Sequence, residues 1–334
     1  MTTSKAPIIN NLDEKAIEKL IYYATKAPSG HNTQPWQFKV RGSAIEIHPN
    51  FKYALPVVDP NHRELYISLG CATENLCVAA THFGFTTKWS IQEGANKVFF
   101  IQINLDKWQK AAEHPLFKNI EKRQTNRSVF DGQSISETII EKLTNIRTEN
   151  SIHSYFFKKG TRAFSTLQKY IFKGNSIQMR DKAFKNELIN WIRFNKKEVN
   201  QLADGLSYEV MGSPAMPKFL GKLIVKSFLN PKTQNETDME KIESSSHFVV
   251  LTTEFDTTRE WILLGIYMER FLLNLTELGI ANAYLNPPCE LPNLAAELQK
   301  ELPINEEIPT IIMRLGYAAA VPFSPRRAVS TDFK

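Results

Sequence analysis

Apolar residues recur with helical spacing in two long stretches of the chain. Leu65, Leu69, Ala72, Leu76, Ala79 and Phe83 form one stripe, and Trp261, Leu264, Met268, Phe271, Leu275 and Leu278 form the other. Each stretch ends at a glycine, Gly84 or Gly279, suited to a left-handed helix cap, and each is followed by a short extended run. Strand-like runs surround them at Gln37–Val40, Ala44–His48, Val98–Asn104, Ser154–Lys158, Phe248–Thr253 and Thr310–Leu315. The pattern predicts an α+β fold, with sheets flanked by helices.

The same pattern is written twice. N-L-D-E-K-A-I-E-K-L at Asn11–Leu20 is matched by S-I-S-E-T-I-I-E-K-L at Ser134–Leu143. Both open with a capping pair, Asn11 with Glu14 and Ser134 with Glu137, which supplies orphan helix amides with partners. Gly70, Glu74 and Gly84 are matched in order and spacing by Gly265, Glu269 and Gly279. A duplicated α+β unit accounts for both matches. The halves are placed at 1–120 and 121–334, the second carrying an insertion at about 162–246. A chain of 334 residues is long enough for two moderate domains.

The differences between the halves point to function. In the first half the opening helix is followed by Ala27–Trp36, A-P-S-G-H-N-T-Q-P-W. Pro28 and Pro35 stiffen this loop and Gly30 permits backbone geometry closed to other residues. Ser29, His31, Asn32, Thr33 and Gln34 present donors and acceptors ahead of Trp36, which suits a planar heteroaromatic ligand with a polar edge. The second half reaches its strand Tyr155–Lys158 by a shorter connection without that motif. Instead, R-Q-T-N-R stands at Arg123–Arg127, where the matching positions of the first half are only the start of the chain. Each half holds what the other lacks, which predicts one site assembled from two half-sites.

Composition narrows the chemistry. The net charge of +6 is mild, and lysines and arginines are interspersed with acids, which speaks for an anionic small ligand and against nucleic acid. The densest basic run, Asn195–Lys232, has six lysines against three acids and reads as a solvated helix face. Cys71, Cys77 and Cys289 make no C-x-x-C pair and read as buried reduced thiols of a cytoplasmic protein. The first residues show no signal peptide, and Trp261–Ile280 carries Glu269, Arg270 and Glu277, so no membrane partner is expected. Metal-binding H-E-x-x-H, P-loop and G-x-G-x-x-G patterns are absent from the sequence. His31 reads as a loop hydrogen-bonder, Trp36 as packing and Cys289 as an inert apolar residue, so no side chain is assigned a covalent catalytic role.

These residues resemble the FMN-dependent nitroreductase family. Ala27–Trp36 is similar to its P-S-x-x-N-x-Q-P-W segment, Arg123–Arg127 to its R-x-S/T-x-R segment, and Ser324-Pro325-Arg326-Arg327 to its C-terminal basic element. Length and duplication resemble the fused, pseudo-dimeric Acg-type branch, in which two nitroreductase-like halves share one chain. The resemblance implies FMN, with Pro28, Ser29 and Gly30 along the isoalloxazine edge and Asn32 and Gln34 on the ring or ribityl hydroxyls. It places Arg123, Thr125, Arg127, Arg326 and Arg327 at the phosphate, a near-dianion that guanidinium forks bind well, beside the amino end of a helix. Asn286 is the candidate contact near the flavin N5, because Pro287 and Pro288 remove amides there. The implied activity is NAD(P)H-dependent reduction of an electron-poor acceptor, a nitroaromatic or quinone, by a monomeric pseudo-dimer with a single FMN. The alternative is an FMN binding or storage protein whose insertion, through Tyr208 or Met211 in Gly205–Pro217, lies over the ring as a lid and excludes reductant.

Overall fold

The computed structural model describes residues 13–107, 113–329 and 331–333. In the first half the order is α1 (Glu14–Ala24), β1 (Trp36–Arg41), β2 (Ala44–Pro49), α2 (Arg63–His82), β3 (Phe85–Glu93) and β4 (Phe99–Lys107). The second half opens with α3 (Glu137–Thr144) and β5 (Ile152–Lys158). An insertion follows, built from α4 (Arg162–Gln178), α5 (Lys182–Asn190), β6 (Ile192–Arg193), α6 (Lys196–Leu202), β7 (Leu206–Ser207), α7 (Lys218–Phe228) and α8 (Pro231–Glu243). The half then resumes with β8 (His247–Thr253), α9 (Thr258–Glu277), β9 (Ala281–Tyr284), α10 (Pro287–Glu290), α11 (Pro292–Glu301) and β10 (Ile308–Gly316), and β11 (Thr331–Phe333) comes last.

The sheets repeat one topology. The first runs β1-β2-β4-β3 and the second β5-β8-β10-β9, each antiparallel throughout these strands. Gly42, in left-handed geometry, makes the tight turn that pairs Arg41 with Ala44 between β1 and β2. In the second half, residues 159–246 occupy the place of that turn, so the insertion is a loop grown between two paired strands. β11 adds to the outer edge of β1 in parallel, Phe38 opposite Thr331, and carries the end of the second half across onto the first.

The two striped helices, α2 and α9, pack against each other between the sheets, and one apolar core runs through both halves. Gly70 and Gly265 meet at their crossing. A methyl on Gly70 would lie 2.2 Å from the Ile262 carbonyl, and one on Gly265 would lie 2.1 Å from the Ile67 carbonyl. The contact is reciprocal, as across a two-fold axis. Bidentate pairing of Arg270 with Glu74, at 2.8 and 2.9 Å, ties the helices further along. The predicted glycine caps are present, Gly84 at φ +85 and Gly279 at φ +69.

Two helix starts differ from expectation. Asp13 caps α1 through Lys15 N, while Asn11 lies outside the described residues. α3 begins at Glu137 behind Ser136, whose side chain makes no capping bond, so Ser134 is not its cap. A second core forms between the second sheet and α4 and α11, and a small cluster of Leu55, Val58, Met179 and Phe184 seats the insertion on the first half. Among the described residues no helix is long and apolar enough to cross a membrane.

Candidate functional site

The Pro28–Trp36 loop makes a single 3-10 turn at Gly30–Asn32 and then enters β1. Its left-handed residues are His31, Asn32 and Gln34, not Gly30. Gly30 leaves room for neighbouring side chains instead: a Cβ there would meet Glu64 Oε2 at 2.9 Å and Leu55 Cδ1 at 3.1 Å, and both would have to shift. Three non-glycine residues at positive φ cost roughly 1 kcal/mol or more each and persist only where surrounding bonds hold them. Those bonds are abundant. Ser29 Oγ accepts from Gln34 N at 3.0 Å. Asn32 Nδ2 donates to the carbonyls of Gly205 at 3.1 Å and Pro325 at 3.0 Å, and Asn32 Oδ1 accepts from Arg326 Nη1 at 2.7 Å. Gln34 Nε2 donates to Ala203 O at 2.9 Å, and its Oε1 accepts from Arg327 N at 2.8 Å.

The arginines from the second half converge on this loop. Arg123 Nη2 donates to Lys26 O at 2.8 Å, and Arg326 Nη2 reaches the same carbonyl and that of Ala27 at 3.2 Å. Arg326 Nε also donates to Thr25 O at 2.9 Å. Arg327 donates to Thr33 O at 2.7 Å, stacks on Tyr53 at 3.7 Å and pairs with Asp204 of the insertion. Asn286 donates to Glu64 Oε1 at 3.1 Å, the carboxyl lying behind Gly30, and accepts from Ile312 N at 3.1 Å. The segments predicted to meet are therefore together, but most of their polar side-chain atoms already hold protein partners.

Arg127 is the exception. It is half-buried and makes no hydrogen bond or ion pair among the described residues. Burial pulls its pKa down, and its charge in turn helps depress those of His31 and Lys241. Thr125 likewise has no side-chain hydrogen bond among the described residues, while its neighbours Gln124 and Asn126 bond to Val321 N and Ala319 O. Arg123 faces the buried Glu269 at 3.4 Å, and burial lifts that carboxyl to about 7 despite the arginine. Burial, followed by the neighbouring Arg123, lowers Arg326 to about 9. Arg123 Nε, both Glu269 oxygens and both polar atoms of Asn75 are buried without hydrogen-bond partners. Two arginines, Arg123 and Arg326, thus act on one buried carboxyl, Glu269, while Arg127 has no acid beside it.

Two expectations change. The helix end expected beside Arg127 starts only at Glu137, so the arginines are not the entry to that helix. Tyr208 bonds its neighbour Glu209 at 3.0 Å, and Met211 is 43% exposed. The insertion meets the loop through Ala203–Gly205 rather than through those two residues. Sequence reasoning missed Glu64, Asp204 and Lys241. Glu64 shares a buried cluster with Asp59 and Glu290, and burial, then Glu290, raises its pKa well above the usual range. None of the three stands in a motif. The thiols are inert: burial raises Cys71, and pushes Cys77 and Cys289 up to about 12. Among the described residues no group of three or more His, Cys, Asp or Glu is placed to hold a metal.

His31 provides a pH test. Burial first, and Arg127 second, hold it near 4 in the folded chain, against about 6.5 unfolded. The unfolded state then takes up a proton the native state refuses as pH falls through 6.5 towards 4, so stability falls over that window. His31→Asn should remove about 2 kcal/mol of the wild-type loss between pH 7 and pH 5, measured by urea unfolding at both pH values. Equal pH dependence in both proteins would contradict this placement.

No family model matches the chain. A Mycobacterium tuberculosis H37Rv protein provisionally named NAD(P)H nitroreductase Rv3131 is 21% identical over 324 residues, covering 95% of this chain and 91% of that protein. Rv3127, an uncharacterised protein of the same organism, is 22% identical over 94% of this chain and 92% of its own length. The crystal structure of a provisionally assigned nitroreductase from Anabaena variabilis matches at a TM-score of 0.54, with 10% identity, over 91% of this chain and 88% of that one. The chain has a nitroreductase-like fold. Each match spans nearly the full length of both proteins, so the shared architecture of this nitroreductase-like chain includes both sheets.

Proposed function

We propose that this nitroreductase-like chain binds one FMN between its halves, 1–120 and 121–334, and works as an NAD(P)H-dependent reductase of an electron-poor acceptor such as a nitroaromatic or quinone. The observation that carries the reading is Arg127, an uncompensated cation beside the polar loop. FMN fits at its anionic end: a phosphate would supply the acceptor oxygens that the side chains of Arg127 and Thr125 lack among the described residues, whereas Arg123 already faces Glu269. Pro28, Ser29 and Gly30 are the loop residues left to line the ring. Asn32, Gln34, Asn286, Arg326 and Arg327 act through the loop, fixing its left-handed backbone and joining it to the tail and the insertion. Held there, FMN would supply the hydride and electron transfer from NAD(P)H to the acceptor. The name of Rv3131 and the fold of the Anabaena protein agree with this assignment.

The test is direct. Protein purified with FMN should be yellow and should bleach with NADH or NADPH under anaerobic conditions. A preparation that stays colourless after incubation with FMN overturns the reading.

One observation favours the FMN-storage alternative. The insertion is latched on the loop: Gly205 and Asn32 exchange backbone and side-chain bonds, and Asp204 joins Arg327 to Arg193, the latter at 2.6 and 2.9 Å. A latch that excludes reductant makes the bound flavin inert, and Asp204→Asn should then speed its reduction at least about tenfold, since buried charged hydrogen bonds contribute about 1.5–3 kcal/mol. Rapid wild-type bleaching, unchanged in Asp204→Asn, supports the reductase with an unobstructed site.

A further inference from the structure

Helix α7 reads K-F-L-G-K-L-I-V-K-S-F, and of its side only Gly221 is buried. A Cβ at Gly221 would lie 2.2 Å from the Phe194 ring, so the glycine lets the helix press one narrow edge onto the body of the insertion. Away from that edge the helix exposes a broad apolar strip. Phe219 is 66% exposed, Leu223 65% and Phe228 61%, with Leu220 and Ile224 beside them. Isolated exposed apolar residues need no explanation, but five on one three-turn helix form a patch. Lys218, Lys222 and Lys226 follow one another at every fourth position along one flank; Lys218 pairs with Glu198 at 2.6 Å, Lys222 and Lys226 supply the cationic edge, and the helix carries no acid. Lys222 and Lys226 also line an open groove of about 670 Å³ between α5 and α7, with Ile189, Phe219 and Leu223 as its apolar wall.

We propose that α7 is a surface anchor for an anionic phospholipid bilayer. A short helix with an apolar outer face and a lysine flank lies in a membrane interface, apolar side chains among the acyl chains and ammonium groups at the phosphates. Charge complementarity selects this occupant over a second copy of the chain. The lysine flank matches the phosphates of an anionic bilayer, whereas a second copy of this helix brings the same positive flank and no acid to meet it. The run that reads in the sequence as a solvated face holds its lysines in water, but its apolar residues face outward as well. The inference is independent of the flavin site: the insertion's bonds to the Pro28–Trp36 loop and to Arg327 come from Ala203, Asp204 and Gly205 and not from α7.

The experiment is vesicle flotation of the full chain. Wild type should float with vesicles of equimolar phosphatidylglycerol and phosphatidylcholine, should not float with phosphatidylcholine alone, and should detach as salt is raised. Leu223→Glu, and separately Lys222→Glu with Lys226→Glu, should each weaken binding at least about tenfold while leaving thermal unfolding and flavin content unchanged. The proposal is overturned if wild type stays unbound on the anionic vesicles, or if Leu223→Glu floats as well as wild type. It is equally overturned if sedimentation shows a concentration-dependent dimer that Leu223→Glu abolishes, which would make the occupant a second copy.

Discussion

Gly70→Ala should lower the stability of this chain by about 2–4 kcal/mol, and Gly265→Ala by a similar amount. In an isolated helix the same change is favourable by up to about 1 kcal/mol, because alanine has the higher helix propensity. Here the new methyl would lie 2.2 Å from the Ile262 carbonyl in one variant and 2.1 Å from the Ile67 carbonyl in the other. Those oxygens belong to helix backbones that cannot rotate aside, so the whole α2–α9 crossing has to open. Opening it disturbs the core shared by both sheets. The double variant should cost clearly less than the two losses combined, since a crossing widened for one methyl largely admits the other. Urea unfolding of the three variants measures this. Two single variants as stable as wild type would mean that the helices do not cross this closely.

The glycine pair also indicates how much of the fold could be read from the chain. Gly70 and Gly265 stood out as repeated positions, and so did the stripes and caps around them, because each is local: a period, a left-handed cap, an alternation. What escaped was set by distant partners. Thr331–Phe333 has no pattern of its own and becomes a strand only by pairing with Phe38–Val40. The position of the insertion was legible, but its point of contact was not. Tyr208 and Met211 had the composition of a lid, whereas the bonds to the loop come from Ala203, Asp204 and Gly205, chosen by where β6 and β7 place them.

The site divides in the same way. The segments named by motif resemblance lie near one another: Arg326 and Arg327 reach the loop, Asn286 the carboxyl behind it, and Arg123 the Lys26 carbonyl just ahead of it. Motif letters carry residue identity and not the direction of a side chain. Asn32 and Gln34 stand where ligand-binding residues were expected, and in this structure they fasten backbone to backbone. Gly30 was assigned a backbone role and has a steric one, because Glu64 reaches it from α2. Sequence spacing within the loop contains no trace of that carboxyl.

Arg127→Met should separate ligand binding from stability. FMN affinity is expected to fall at least tenfold, since a charged hydrogen bond to phosphate contributes about 1.5–3 kcal/mol. The flavin-free protein should melt no lower than wild type, and slightly higher, because a half-buried cation without an acidic neighbour is replaced by an apolar chain of similar length. His31 should titrate at higher pH in the variant, as Arg127 is the second cause of its depression, and imidazole NMR reports that shift. Arg326→Met must behave oppositely in the flavin-free state. Its guanidinium donates to Thr25, Lys26, Ala27 and Asn32, and removing it leaves those acceptors unpaired. That variant should therefore lose stability with or without flavin, as should Asn32→Ala, whose side chain joins the insertion and the tail to the loop. A clear drop in the melting temperature of flavin-free Arg127→Met, with FMN affinity unchanged, would make Arg127 another fastener and remove the anion site from this surface.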